Sequence, residues 1–231
     1  MSAKRERKLI VAIDGPAGAG KSTVAKRLAK ELSYTYMDTG AMYRAFAWRV
    51  MEEGIDLSNE KELGKVLQGI NIEFVDRDGR LGVLLNGVDV TDRIRTPELS
   101  QLASRVSTSR IVRERMVELQ RALGSQGGMV VEGRDIGTVV FPNAEVKIYL
   151  DASSRERARR RFEELKSQGS QVTMEETLGE TQERDRRDME RDVAPLRKAE
   201  DAVVIDSTHS GVDGVVERIM QEIKKKISVI Q

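Results

Sequence analysis

Hydrophobic positions recur along this chain with two spacings, and the alternation between them predicts its layout. Short apolar runs at Leu9–Ile13, Tyr34–Met37, Met129–Glu132, Val146–Leu150 and Ala202–Ile205 read as buried strands. Between them apolar residues return every three or four positions. That spacing predicts helices over Thr23–Leu32, Met42–Glu53, Glu60–Leu67 and Glu98–Leu123, the last broken near Thr108-Ser109. It predicts further helices from Ser153 to about Gln168, within 169–192 after a loop, and over Val212–Ile227. Strands separated by helices build a parallel sheet of five strands flanked by helices, an α/β fold. One stretch breaks the rhythm. Asn71–Val75, Leu81–Leu85 and Val88–Val90 alternate with period two around the turns Asp76-Arg-Asp-Gly79 and Asn86-Gly87, the pattern of a small antiparallel sheet. The division expected is a core of residues 1–35 and 128–231 and an insert, 36–127, that closes on it. Ser153-Ser-Arg-Glu156 predicts a capping box, and the lysine-rich end of the last helix suits its dipole.

Composition removes several function classes. The 231 residues carry a net charge of +1, so no basic field advertises a nucleic-acid or membrane partner. No apolar run approaches the roughly 18 residues of a membrane span. Met1–Lys8 is charged and lacks the apolar centre of a secretion signal, and a cytoplasmic monomer is the expectation. There is no cysteine, which excludes disulfides, thiolate metal sites and thiol nucleophiles. The one histidine, His209, follows Asp206-Ser-Thr208 in a loop and reads as a surface residue. Chemistry must therefore run on Arg, Lys, Asp, backbone and metal. Phosphoryl transfer suits that inventory, because it is catalysed mostly by positioning and charge neutralisation.

The segment Gly15-Pro-Ala-Gly-Ala-Gly-Lys-Ser22 fits G-x-x-x-x-G-K-[ST] between a strand and a helix, the context a phosphate-binding loop requires. Glycines let backbone N–H groups approach a polyphosphate, and the helix after them points its positive end at the same place. Lys21 would reach the β- and γ-phosphates, and the Ser22 hydroxyl would ligate magnesium. Gly15 to Thr23 are thus the candidate ATP-binding residues.

Other candidates carry two readings each. Asp38-Thr-Gly-Ala-Met-Tyr-Arg44 sits where ligands bind in open α/β sheets, so Arg44 could take a second phosphate and Tyr43 could pack on a base. Equally, it could be a capped helix with a surface arginine. Gly133-Arg-Asp135 at a strand end reads better as function than as core. Arg105, Arg110, Arg113, Arg115 and Arg121 suit a solvated face, with one or two free to turn into a cleft. Arg155, Arg157, Arg159, Arg160 and Arg161 are either an exposed face or a mobile arm that clamps a transferring phosphoryl group. Arg184, Asp188 and Arg191 share a helical stripe, as a salt-bridge ladder or as a wall of a substrate site. No base motif suited to a hydroxyl acceptor stands out. A phosphate acceptor needs none, being largely anionic at neutral pH. Arginine outside the phosphate loop then favours a second phosphate-bearing substrate, as in a nucleoside monophosphate kinase. A GTPase-type switch is disfavoured by the missing Asn-Lys-x-Asp motif, and an RNA-binding protein by near-zero charge and few aromatics.

Ile13–Thr23, Asp38–Arg44, Gly133-Arg-Asp-Ile-Gly-Thr-Val-Val-Phe-Pro142, Lys147–Ser153, Val193-Ala-Pro-Leu196 and Asp201–Thr208 together resemble the bacterial cytidylate (CMP) kinases over nearly the whole chain. The first motif is shared with many NTPases; the second, third and fifth together are specific. The resemblance implies transfer of the γ-phosphoryl group of ATP to CMP or dCMP with Mg2+, in a fold with an enlarged monophosphate-binding insert and a helical lid at about 155–192. It implies that Thr39 and Asp135 accept from the cytosine amino group and that Arg113 donates to the ring. Arg44, Arg134 and Arg191 would hold the CMP phosphate, while Ser104, Arg184 and Asp188 would meet the sugar. Lys21, Arg157, Arg160 and Arg161 would act on the transferring phosphoryl group. Two departures stand out. Thr39 replaces the serine common in the family, and Ser22-Thr23 replaces Gly-Thr, leaving Ser22 as the metal-binding hydroxyl.

Overall fold

Residues 8–77 and 80–230 are described by the computed structural model of this chain. Strands β1 (Ile10–Asp14), β2 (Thr35–Asp38), β6 (Met129–Gly133), β7 (Val146–Asp151) and β8 (Val203–Asp206) form one sheet in the order β2-β6-β1-β7-β8. Every pairing in it is parallel. All five carboxyl ends therefore lie along one edge, and the register sets Asp14 beside Gly133, Asp38 beside Glu132 and Asp151 beside Asp206. Between β2 and β6 come α2 (Thr39–Glu52), α3 (Glu60–Gln68), the antiparallel ribbon β3 (Ile72–Arg77), β4 (Arg80–Leu85) and β5 (Val88–Asp89), then α4 (Pro97–Val106) and α5 (Arg110–Gly124). Helices α1 (Lys21–Leu32), α6 (Ser154–Ser167), α7 (Met174–Glu190) and α8 (Val212–Ile230) complete the fold.

Two apolar clusters hold the layers. Val11, Ile13, Val130, Ile148 and Leu150 turn to one face of the sheet and meet Leu28 of α1 and Ile219 of α8. Ala12, Met37, Met129 and Val131 turn to the other and join Phe46, Leu63, Leu85, Leu99 and Met116. The apolar interior of 36–127 thus runs without a break into one face of the parallel sheet. Each such side chain, fully buried, contributes roughly 1.5–3 kcal/mol. That is why the strands of the sheet read as continuous apolar runs, while the ribbon reads as an alternation.

Several expected boundaries move for physical reasons. Helix α2 starts at Thr39 rather than Met42, because the Asp38 carboxylate accepts the Ala41 N–H and caps it. The predicted capping box at Ser153 is half formed. Its hydroxyl accepts the Glu156 N–H, while Glu156 turns instead to Arg159 and Arg160. The complete box is at Thr173 and Glu176, opening α7. The last strand is not buried: β8 is the sheet's edge, with Val203 and Val204 exposed. Helix α8 runs on to Ile230, so Lys224–Lys226 stand before its last turn rather than in it. Asn86-Gly87 is the expected tight turn, both residues at positive φ. Of the other predicted turn, Asp78 and Gly79 lie outside the described residues, as do residues 1–7 of the charged N-terminus.

Candidate active site

The phosphate loop is shaped by close approach. A Cβ on Gly15 would stand 1.9 Å from the Leu150 carbonyl oxygen, and one on Gly18 would stand 2.6 Å from the Arg157 carbonyl oxygen. Only glycine lets the loop lie so near β7 and α6, and Gly18 also takes φ +76°. Gly15, Pro16 and Ala19 are buried beneath the loop. Ala17, Gly18, Gly20, Lys21, Ser22 and Thr23 face a groove of about 500 Å³. Lys21 is buried and folds back, its Nζ donating to the Pro16 carbonyl at 2.7 Å. Burial, with Arg134 and Arg184 adding repulsion, brings its pKa down to about 7. An anion in the groove would restore its charge.

Two carboxylates not singled out in the sequence stand on the same rim. Glu132, next to last in β6, accepts from the Tyr36 hydroxyl and lies within hydrogen-bond reach of Ser22. Burial and the neighbouring Asp38 push its pKa up. Burial also acts on Asp38, but Arg44 at 2.9 Å and the Ala41 N–H outweigh it and hold Asp38 low. An exposed hydroxyl beside these carboxylates is an oxygen donor set suited to Mg2+.

A second cavity, about 60 Å³, opens beside the groove and shares Gly40, Arg44, Gly133, Arg134 and Arg184 with it. Its lining brings together Thr39, Tyr43, Arg44, Ser104, Arg113, Arg134, Asp135, Arg184, Asp188 and Arg191, all ten candidate residues for the acceptor. They come from α2, α4, α5, the end of β6 and α7. Of the five arginines considered between 98 and 123, only Arg113 turns in. It is 1% exposed, donates to the Asp135 carboxylate and lies 5.8 Å from the Tyr43 ring centre. Arg110 and Arg115 pair with surface glutamates, Arg121 donates to the Val139 and Val140 carbonyls, and Arg105 is exposed. Arg134 pairs with Asp188 at 2.8 Å. Arg191 lies 3.8 Å from Asp135 and 3.7 Å from Asp188. Its Nε donates to the carbonyl of Ala194, which takes φ +50°. The stripe Arg184, Asp188 and Arg191 is thus a cavity wall in which Asp188 pairs with Arg134 and Arg191, while Arg184 joins no ion pair among the described residues. Thr39 donates to the Glu132 carbonyl, leaving its oxygen able to accept.

The cavity holds unmatched polarity. Ser104 Oγ, Arg113 Nε, Arg184 Nε and Arg191 Nη2 are buried with no hydrogen-bond partner. A buried unpaired group costs roughly 1–3 kcal/mol, more when charged, so this concentration marks a place built for a polar, anionic guest.

The basic run of α6 divides. Arg160 and Arg161 line the groove, although Arg160 also donates to Ser207 and Glu156, and Arg161 pairs with Glu164. Arg157, expected beside them, turns inward and is buried. It donates to the carbonyls of Ala152 and Ala17 and to Asp185 on α7. Its Nε and Nη1 tie α6 and α7 to the phosphate loop, and it does not line the groove. His209 is in an exposed loop.

The comparisons agree with this geometry. A family model described as cytidylate kinase matches residues 11–225. A cytidylate kinase of Syntrophotalea carbinolica is 52% identical over 223 residues, covering 96% of this chain and 95% of the relative. A cytidylate kinase of Bacillus subtilis is 49% identical over 221 residues, covering 96% and 99%. Among solved structures, an uncharacterised protein of Eubacterium ventriosum aligns with a TM-score of 0.50 at 13% identity, covering 94% of this chain and 99% of that one, a likeness of fold alone. A phosphate loop, an arginine-lined cavity opening beside it, and near-complete matches at about half identity converge: this chain belongs to the cytidylate kinase family.

Proposed function

We propose that this protein transfers the γ-phosphoryl group of ATP to CMP or dCMP, giving ADP and CDP or dCDP, a step of pyrimidine nucleotide metabolism. The observation that carries the reading is the small cavity with its unpartnered arginine and serine atoms, continuous with the phosphate-loop groove. Two anionic nucleotides would meet where the two spaces share Arg44, Arg134 and Arg184. Lys21 and the amides of the loop would take the β- and γ-phosphates, with Arg160 and Arg161 over them. Arg44, Arg134 and Arg191 would hold the acceptor phosphate; Ser104, Arg184 and Asp188 the sugar; Thr39, Arg113 and Asp135 the base. Tyr43 would pack against it. Ser22, backed by Glu132 and Asp38, would hold Mg2+, which neutralises charge on the transferring phosphate when bound.

No side chain needs to remove a proton. The acceptor phosphate is already largely dianionic at neutral pH, and the arginines align it. Cytosine presents an amino donor to Asp135, whereas uracil presents a carbonyl, setting acceptor against acceptor. Residues 36–127 would carry half of the acceptor-binding residues, and α6 and α7 would form the lid. Arg157 supports a lid whose base stays fixed to the phosphate loop. The test is coupled ADP release with CMP, dCMP, UMP, AMP and dTMP side by side. CMP and dCMP should be turned over best. Equal turnover with AMP or dTMP, or ATP consumption independent of an acceptor, would overturn the reading.

A further inference from the structure

Asp14 has no part in the roles above, yet it is one of the most constrained groups in the molecule. It ends β1 one residue before the phosphate loop and is 4% exposed. Its two carboxylate oxygens accept two successive backbone N–H groups, Ile136 at 2.8 Å and Gly137 at 2.7 Å. These belong to the single π-turn Ile136–Val140, whose first N–H groups follow directly on Asp135. Asp135 itself sits at φ −146°, ψ 24°, outside any regular element. The backbone that aims it into the cavity is held on its far side by Asp14. Arg121 holds the far end of that turn by the Val139 and Val140 carbonyls, whereas the amides next to Asp135 are held by Asp14; Lys147 packs its methylenes near Gly137 but sends its amine to the Pro142 carbonyl and Asp201.

We propose that Asp14 is a positioning residue for acceptor recognition, fixing the Asp135 carboxylate relative to the phosphate loop through the amides of Ile136 and Gly137. This rests on the reading of Asp135 as the group that meets the cytosine amino group. One carboxylate then joins both substrate sites: by chain continuity it is anchored to the loop, and by two hydrogen bonds it anchors the specificity turn. A carboxylate is the side chain that can accept both N–H groups at once. Asparagine has the same shape, but its amide nitrogen would face one N–H as donor against donor.

The test is Asp14→Asn, with kcat and KM measured for CMP and UMP at saturating ATP, and KM for ATP at saturating CMP. The expected result is a rise of about tenfold in the CMP KM and a fall of about tenfold in the CMP/UMP ratio of kcat/KM, the scale of one lost buried pairing. The ATP KM should stay within about twofold. A lowered melting temperature with the CMP/UMP ratio intact would overturn the proposal, as would a rise confined to the ATP KM. A wild-type protein that did not prefer CMP to UMP would instead refute the role of Asp135.

The wild-type protein provides a second reading should the variant not fold. Burial, with Asp135 adding to it, brings the pKa of Asp14 up to about 6 against the pull of the two N–H groups and Lys21; Tyr149 of β7 also faces it. Between pH 7.5 and 5.5 Asp14 gains a proton and loses one of its two acceptors. The CMP/UMP ratio should fall across that window. Both acceptors carry the same phosphate and meet the same Lys21, so those titrations cancel in the ratio. A flat ratio would overturn the proposal.

Discussion

Replacing Asp135 separates what this carboxylate does for the fold from what it does for the substrate. Arg113 is 1% exposed and Arg191 is 9% exposed, and both lean on it. Asp135→Ala leaves two buried guanidinium groups without that counter-charge. Deleting one partner of a buried pair costs about 3–5 kcal/mol. Arg191 keeps Asp188 and the Ala194 carbonyl, so the expected loss is at the low end, about 3 kcal/mol. Asp135→Asn also removes the charge but keeps the volume and one acceptor oxygen for Arg113, so its expected loss is smaller than that of alanine by about 1 kcal/mol, the worth of one hydrogen bond. Specificity should order the variants differently. A mispaired buried acceptor is worth about 1–3 kcal/mol, or about five- to 150-fold in the CMP/UMP ratio. Alanine removes that discrimination. Asparagine can also turn an N–H toward the uracil carbonyl, so its ratio should fall at least as far. Urea unfolding gives the stability order, and coupled ADP release with CMP and UMP gives the ratio. An unchanged ratio in Asp135→Ala would refute the assignment to the base. A loss below about 1 kcal/mol in Asp135→Ala would refute the account of the buried charges.

Arg191→Ala should raise the CMP KM at least about tenfold while leaving the ATP KM within about twofold, since a charged hydrogen bond is worth roughly 1.5–3 kcal/mol; steady-state kinetics check it, and an unmoved CMP KM would confine Arg191 to its pairs with Asp135 and Asp188. Arg157→Ala should cost about 3–5 kcal/mol in urea unfolding, because it strands buried Asp185 and frees the Ala17 carbonyl. A loss below about 1 kcal/mol would contradict its place as an internal tie.

Much of this was legible in the order of the residues. Apolar runs at fixed places named the strands of the sheet, because strands covered on both faces must be apolar throughout. Asn86-Gly87 announced its turn, because both residues must take positive φ. The phosphate loop was legible because local backbone shape requires glycine at Gly15 and Gly18, and chemistry requires Lys21 and Ser22 after them. Exposure was not. A short apolar run cannot tell an edge strand from a central one, so β8 read as buried while Val203 and Val204 face outward.

Arginine roles divided along the same line. Arg157, Arg160 and Arg161 stand within five positions, and nothing in their spacing says which turns inward. That depends on Asp185, which stands 28 positions from Arg157 and meets it only because α6 packs on α7. Likewise Arg113 differs from Arg110 and Arg115 only in the face of α5 it occupies, the one turned toward Asp135. The sequence by itself determined the strand segments, the ribbon and the phosphate loop, because each rests on patterns or conformations within a few residues. Only the tertiary structure decided which charges are buried together. Parallel pairing brings the carboxyl ends of distant strands to one edge, and there Asp14, Glu132 and Asp135 acquire partners that no local pattern encodes.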